Sequence, residues 1–136
     1  MGPPDPERWE ACEAHLYGID LFNHGYYWEA HEVWEELWQA CGRRGVTATF
    51  LKGLIALAAA GLKARMGNAR GTRTHATRAV DLFQAVADRS PEPRYMGLHL
   101  EDLERHARAI ASQPPAGTAK QDSIRPIVFE FVLWPD

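Results

Sequence analysis

Three features of the 136-residue sequence predict an all-α protein, a compact bundle of about five helices with an extended apolar C-terminal tail. Apolar residues recur at helical rather than alternating spacing through five successive stretches. Each stretch ends on glycine, asparagine or proline: at Asn23 to Gly25, Cys41-Gly42, Gly67-Asn68, Ser90-Pro91 and Pro114-Pro115. The final run, Ile127-Val-Phe-Glu-Phe-Val-Leu-Trp134, is too apolar to stand in water and lies between Pro126 and Pro135. That suits an extended segment folded back across the helices, or an edge that pairs with another chain. The division that follows is a helical domain over residues 1–113, then a linker and docked tail over 114–136.

In chain order, Pro6 suits the first turn of a helix that carries Trp9, Cys12, Leu16, Ile19 and Phe22 on one face. Gly25 suits a left-handed position after it, and so short a connection makes the second helix an antiparallel neighbour. The second helix places Tyr27, Ala30, Trp34, Leu37, Trp38 and Cys41 on one stripe. A third, over residues 47–66, has Phe50, Leu51, Leu54, Ile55, Leu57, Ala58, Ala59 and Leu62 around most of its girth, the mark of a central helix. Gly53 and the run Ala58-Ala59-Ala60-Gly61 leave room for close neighbours. A fourth helix, residues 72–87, should bury Ala76, Ala79, Val80, Phe83 and Ala87, and a fifth, residues 100–111, Leu100, Leu103, Ala107 and Ile110.

Composition narrows the function classes. A formal charge of -3 argues against a protein that coats nucleic acid or an anionic membrane, since such proteins carry a basic excess. No apolar targeting stretch stands at the start and no uncharged run reaches bilayer length, so the expected location is cytoplasmic. Cys12 and Cys41 read as reduced core thiols. No cofactor is implied. The partner is an unidentified small molecule or protein, with no membrane contact and with homo-oligomerisation left open.

Chemistry concentrates on the second helix. His31 lies at the rim of the apolar stripe with Glu35 beside it at i+4, while Glu29, Glu32 and Glu36 turn outward. His31-Glu32 begins the zinc-protease pattern His-Glu-x-x-His, but Glu35 stands where the second histidine belongs. A single metal held by His31, Glu35 and His15 of the facing helix is geometrically open. General acid–base chemistry at His31, walled by Tyr27, Trp34 and Trp38, is another reading, though no nucleophile elbow, phosphate loop or dinucleotide fingerprint accompanies it. Residues 63–78 carry Lys63, Arg65, Arg70, Arg73, His75 and Arg78 without an acid, complementary to the carboxylates of the second helix. A withdrawn imidazole needs partners, and Glu35 is the expected one, with Glu29 or Glu32 joined through Lys52 or Lys63.

Several of these residues fall into one pattern: Asn23-x-Gly25-x-Tyr27-x-Glu29-Ala30-His31-Glu32, Trp38, Lys52-Gly-Leu-Ile-x-Leu-Ala-Ala59, Gly67-Asn-x-x-Gly71 and Tyr95-x-Gly97. Over residues 9–111 the chain thereby resembles the prokaryotic domain of unknown function numbered 309. The resemblance implies a compact all-helical fold, with signature positions at Glu29, His31, Glu32, Trp38, Gly53 and Asn68, and implies no established activity. Gln39, Lys52 and His99 depart from the family pattern, the last where an aspartate would cap the fifth helix. The candidate groove is then Glu29, His31, Glu32, Glu35, Trp38, Lys52 and Asn68. The function expected is a binding or interaction module built on that Glu/His groove. The rival is a small enzyme or metal-binding protein using His31 with Glu29, Glu32 and Glu35.

Overall fold

The computed structural model describes residues 2–115 and 127–136. A 3-10 turn, Pro6–Ala11, leads into helices α1 (Glu13–Asn23), α2 (Tyr27–Ala40), α3 (Gly45–Arg65) and α4 (Ala69–Arg89). A two-stranded hairpin, β1 (Arg94–Tyr95) and β2 (Leu98–His99), then precedes α5 (Leu100–Ser112). Five α-helices and an extended apolar tail match the predicted class, with differences at the ends of elements.

The expected first helix is two pieces. Asp5 caps the 3-10 turn by accepting from the Glu7 amide at 3.0 Å, and Cys12, at φ -88° and ψ 89°, leaves helical geometry before α1 begins. The break removes Trp9 from the α1 stripe, and its ring instead covers Gly97, where an added Cβ would lie 2.8 Å from it. The face of α1 shifts too. His15 is buried, and Leu16, expected on the core face, is only half-buried.

Helix α3 is the axis of the bundle, packed between α2 and α4, with α1 outside α2 and α5 outside α4. By length and composition it could cross a membrane, but most of its apolar surface is enclosed by its neighbours. Its glycines are seats for rings. An added Cβ on Gly53 would come within 2.5 Å of Phe83 of α4, and on Gly61 within 2.8 Å of Tyr27 of α2. In α1, Gly18 receives Trp34 in the same way, at 2.9 Å. Removing a side chain at these positions brings helix axes close and lets a large ring fill the space, so packing density is kept.

Helix α4 begins three residues earlier than the apolar pattern indicated. The Asn68 side chain accepts from the Gly71 amide at 2.8 Å, an N-cap that satisfies a free first-turn donor. At the other end Val86 is buried and Ala87 exposed, correcting the expected core set. The hairpin was not anticipated. Met96 and Gly97, with φ of 47° and 83°, form its two-residue turn, and Tyr95 pairs with Leu98 and Arg94 with His99.

The tail over residues 127–136 lies on the bundle in extended form. Phe129 and Leu133 are buried and Phe131 half-buried, but Trp134 is 76% exposed, with Ile127 and Val132 also outward. Extended chain alternates its faces, so only every second apolar residue reaches the helices. The expectation that Trp134 docks is corrected on that ground. The linker expected after residue 113 lies mainly outside the described residues.

Candidate functional site

The residues singled out on α2 are partly or fully exposed, and the structure pairs them differently from the sequence reading. His31 is partly exposed, and its ring stacks flat on Trp28 one turn earlier, centroids 5.7 Å apart with 4° between planes. Its Nδ1 is 3.4 Å from Glu32 Oε1 and makes no hydrogen bond. Glu35, the expected partner, turns toward α3, where its carboxylate lies 4.0 Å from Lys52 Nζ. The correction has a simple cause: Lys52 offers a full charge on one side of α2, while the i−3 contact with Trp28 draws the imidazole to the other.

Lys52 continues the line. Its ammonium sits 3.9 Å above the Trp38 ring, with Arg43 5.5 Å from the same ring. Trp38 is thereby held at the edge of the core under two cations. Asn68 serves as the cap of α4. Glu29 is half-buried on the first turn of α2.

His75 of α4, which in the sequence stands out only as part of the basic run, adjoins this surface. Burial holds its pKa below the usual histidine value, and Lys63, Arg78 and His31 lower it further in that order. Two cations, Lys63 and Arg78, thus bear on the His75 imidazole, with a smaller effect from His31 of α2. The acid-free run over residues 63–78 was the available signal, since His75 is its only titratable group near neutrality. Arg65 and Arg73 of the same run are engaged elsewhere, donating to the carbonyls of Gly25 at 2.8 Å and Ala111 at 3.1 Å.

His15 has a different place. It is fully buried, its Nδ1 accepts from Trp34 Nε1 at 3.2 Å, and its Nε2 therefore donates to the Met96 carbonyl at 3.0 Å. Both nitrogens are occupied, so neither has a lone pair for a metal in this arrangement. Burial lowers its pKa to about 4 against the smaller opposing effect of the Met96 bond, so the ring is neutral near pH 7. Among the described residues no three His, Cys, Asp or Glu side chains gather as a metal site, and the trio of His15, His31 and Glu35 is not brought together.

Two broad cavities lie elsewhere. One, about 800 Å³, is lined by Pro3, Pro4, Arg8, Cys12, Tyr17 and Leu37, and another, about 700 Å³, lies between α5 and the tail at His106, Ile110, Phe129 and Phe131. His31 lines neither of them.

No curated protein matches this chain. Residues 16–74, which take in most of α1, all of α2 and α3 and the start of α4, match the family model described as Domain of unknown function (DUF309), and the resemblance carried by the Glu29-Ala-His-Glu32 block is to this family.

Proposed function

We propose that this protein is a binding module, and that the outer face of α2 with the adjoining cations of α3 and α4 is its recognition surface. The partner is a protein or small molecule that brings an anionic group beside an apolar one. The observation that carries this reading is the Trp28–His31 stack: Trp28 is 52% exposed and lies parallel to the His31 ring. A half-exposed indole has a large desolvation gain in reserve on binding. Beside it, burial and the cations Lys63 and Arg78 disfavour the charged form of His75, and an anion bound among them would favour that form. Glu32 at the rim sets a limit, because an acidic partner must approach from the α4 side.

The test is imidazole NMR. His31 and His75 are titrated with pH in inorganic phosphate and in chloride at matched ionic strength, with Trp28 fluorescence followed in parallel. Phosphate should raise the His75 midpoint saturably, and Arg78→Ala should remove the effect. Superimposable titrations in the two salts, with unchanged Trp28 emission, would refute the reading.

A further inference from the structure

The sequence holds two cysteines, and the fold brings both to one end of the α1–α2 hairpin. Cys12 is the joint between the 3-10 turn and α1, and Cys41 is the residue that ends α2. The two helices run antiparallel over a short connection, so the start of the first lies beside the finish of the second. Both cysteines are free thiols, half-buried against the edge of the core.

Leu37 fixes their relation. Its side chain is buried and shares with Cys12 the wall of the larger cavity. Cys41 stands one turn further along α2, its amide bonded to the Leu37 carbonyl at 3.1 Å, so its Cβ projects on the same face and leans back toward Leu37. Pro3 and Pro4 span the pair, bordering that cavity at Cys12 and a smaller one, about 230 Å³, at Cys41. The thiols also bear on each other electrically: burial pushes the Cys41 thiol above its usual pKa, and Cys12 adds to the rise.

Both cysteines sit at joints. At Cys12 the chain leaves helical geometry, with φ -88° and ψ 89°, and Cys41 is followed by Gly42 and Arg43 at positive φ, 72° and 64°. Packed helix axes ~8 to 10 Å apart hold cysteines of two helix interiors out of bonding reach, whereas cysteines at helix ends approach by small rotations of the joint, without bending a helix.

We propose that Cys12 and Cys41 form a reversible dithiol–disulfide couple that fastens the N-terminal 3-10 turn to the end of α2, exchanging with small disulfides of the glutathione type. The Cys12 thiolate, bordering the larger cavity, attacks one sulfur of the small disulfide, and one glutathione leaves as its thiolate. Cys41 then gives its proton to solvent and attacks the Cys12 sulfur, the second glutathione leaves, and the two departing thiolates take up the two protons released. Two protein thiols are oxidised and one disulfide is reduced to two thiols. Burial sets this order, because it disfavours the Cys41 thiolate until the mixed disulfide stands beside it. The couple is independent of the α2 recognition surface.

The experiment equilibrates the full wild-type chain, folded and in urea, in buffers of stepped glutathione and glutathione disulfide, with acid quenching and intact mass spectrometry. The folded chain should pass to a monomer lighter by two hydrogens, restored by dithiothreitol. The effective concentration of one thiol at the other should be at least ~10-fold higher folded than unfolded, since a disulfide that fits the native state stabilises it by the same factor. The thermal midpoint of the oxidised chain should then rise by about 5 °C over the reduced one. Cys41→Ser should take up one glutathione at Cys12 and gain no such rise. Should that variant fail to fold, the wild-type comparison decides alone. An effective concentration equal or lower in the folded chain, separate glutathionylation of both thiols, or a disulfide-linked dimer as the main product would each overturn the proposal.

Discussion

His15 and His31 lie one helix apart and show how differently a histidine is used at the centre and at the edge of this bundle. The sequence set His31 at the rim of the core and offered His15 only as a third donor to a single metal. Instead α1 begins after a break at Cys12 and buries His15, where Trp34 and Met96 satisfy both nitrogens. A break of that kind leaves little trace in a sequence whose apolar spacing continues through it. The consequence is measurable through pH. Because the folded pKa of His15, about 4, lies below the ordinary value of 6.5, the unfolded chain binds the proton more readily. Stability from this group is therefore complete above pH 6.5 and is lost as pH falls toward 4, by roughly 3 kcal/mol in total. Urea unfolding of wild type and His15→Phe at pH 7 and pH 4.5 should show the wild type losing more stability between the two. Parallel losses would refute the assignment. His31→Ala, by contrast, breaks no hydrogen bond and should cost about 0.5 to 1 kcal/mol, unchanged by added divalent metal. A loss of 3 kcal/mol in the same unfolding assay would restore the structural role expected from the sequence.

At the scale of elements, the helices were legible because burial repeats at the helical period, and the four connections between them because glycine, asparagine and proline mark them. The hairpin was not, since strands of two residues carry no alternation to read, and Met96 with positive φ is not a residue that announces a turn. Small residues on α3 were read as room for approaching helices. Their function is more specific, since Gly53 and Gly61 each receive one aromatic ring. Replacing a helical glycine by alanine normally stabilises by up to ~1 kcal/mol. At Gly53 the new methyl would meet Phe83, itself fully buried against Phe50, and overpacking of that kind costs ~1 to 3 kcal/mol. Gly53→Ala should therefore destabilise by about 1 to 2 kcal/mol in thermal unfolding, and the double variant Gly53→Ala with Phe83→Leu should recover part of the loss. No recovery would mean that the ring is not the obstacle.

For the whole molecule, the tail is the least local feature and the one whose partners the sequence could not supply. Asn23 and Tyr27 stood out within the family pattern, but their contacts lie more than 100 residues away, at Val128, Phe129 and Leu133. Its apolar character could be read, and its two faces could not, because residues on both faces are apolar and only the helices decide which face turns in. His75 joined the candidate surface for the same reason, through neighbours on three helices. Phe129 and Leu133 of the tail belong to the same buried cluster as Phe22 and Tyr27, so the tail's contribution to stability should be large. Phe129→Ala removes a ring packed on Phe22, Tyr27 and Phe131 and should cost about 2 to 4 kcal/mol. Trp134→Ala removes a larger side chain from the same segment, yet that side chain is mostly in water, and the change should stay within about 0.5 kcal/mol. Residue size and hydrophobicity alone predict the opposite order. Thermal unfolding of the two variants under one condition distinguishes the cases: a midpoint lowered by several degrees for Phe129→Ala and nearly unchanged for Trp134→Ala fits the tail as described. A larger loss at Trp134 would mean that the outer face of the tail, rather than the inner one, is covered in the native protein.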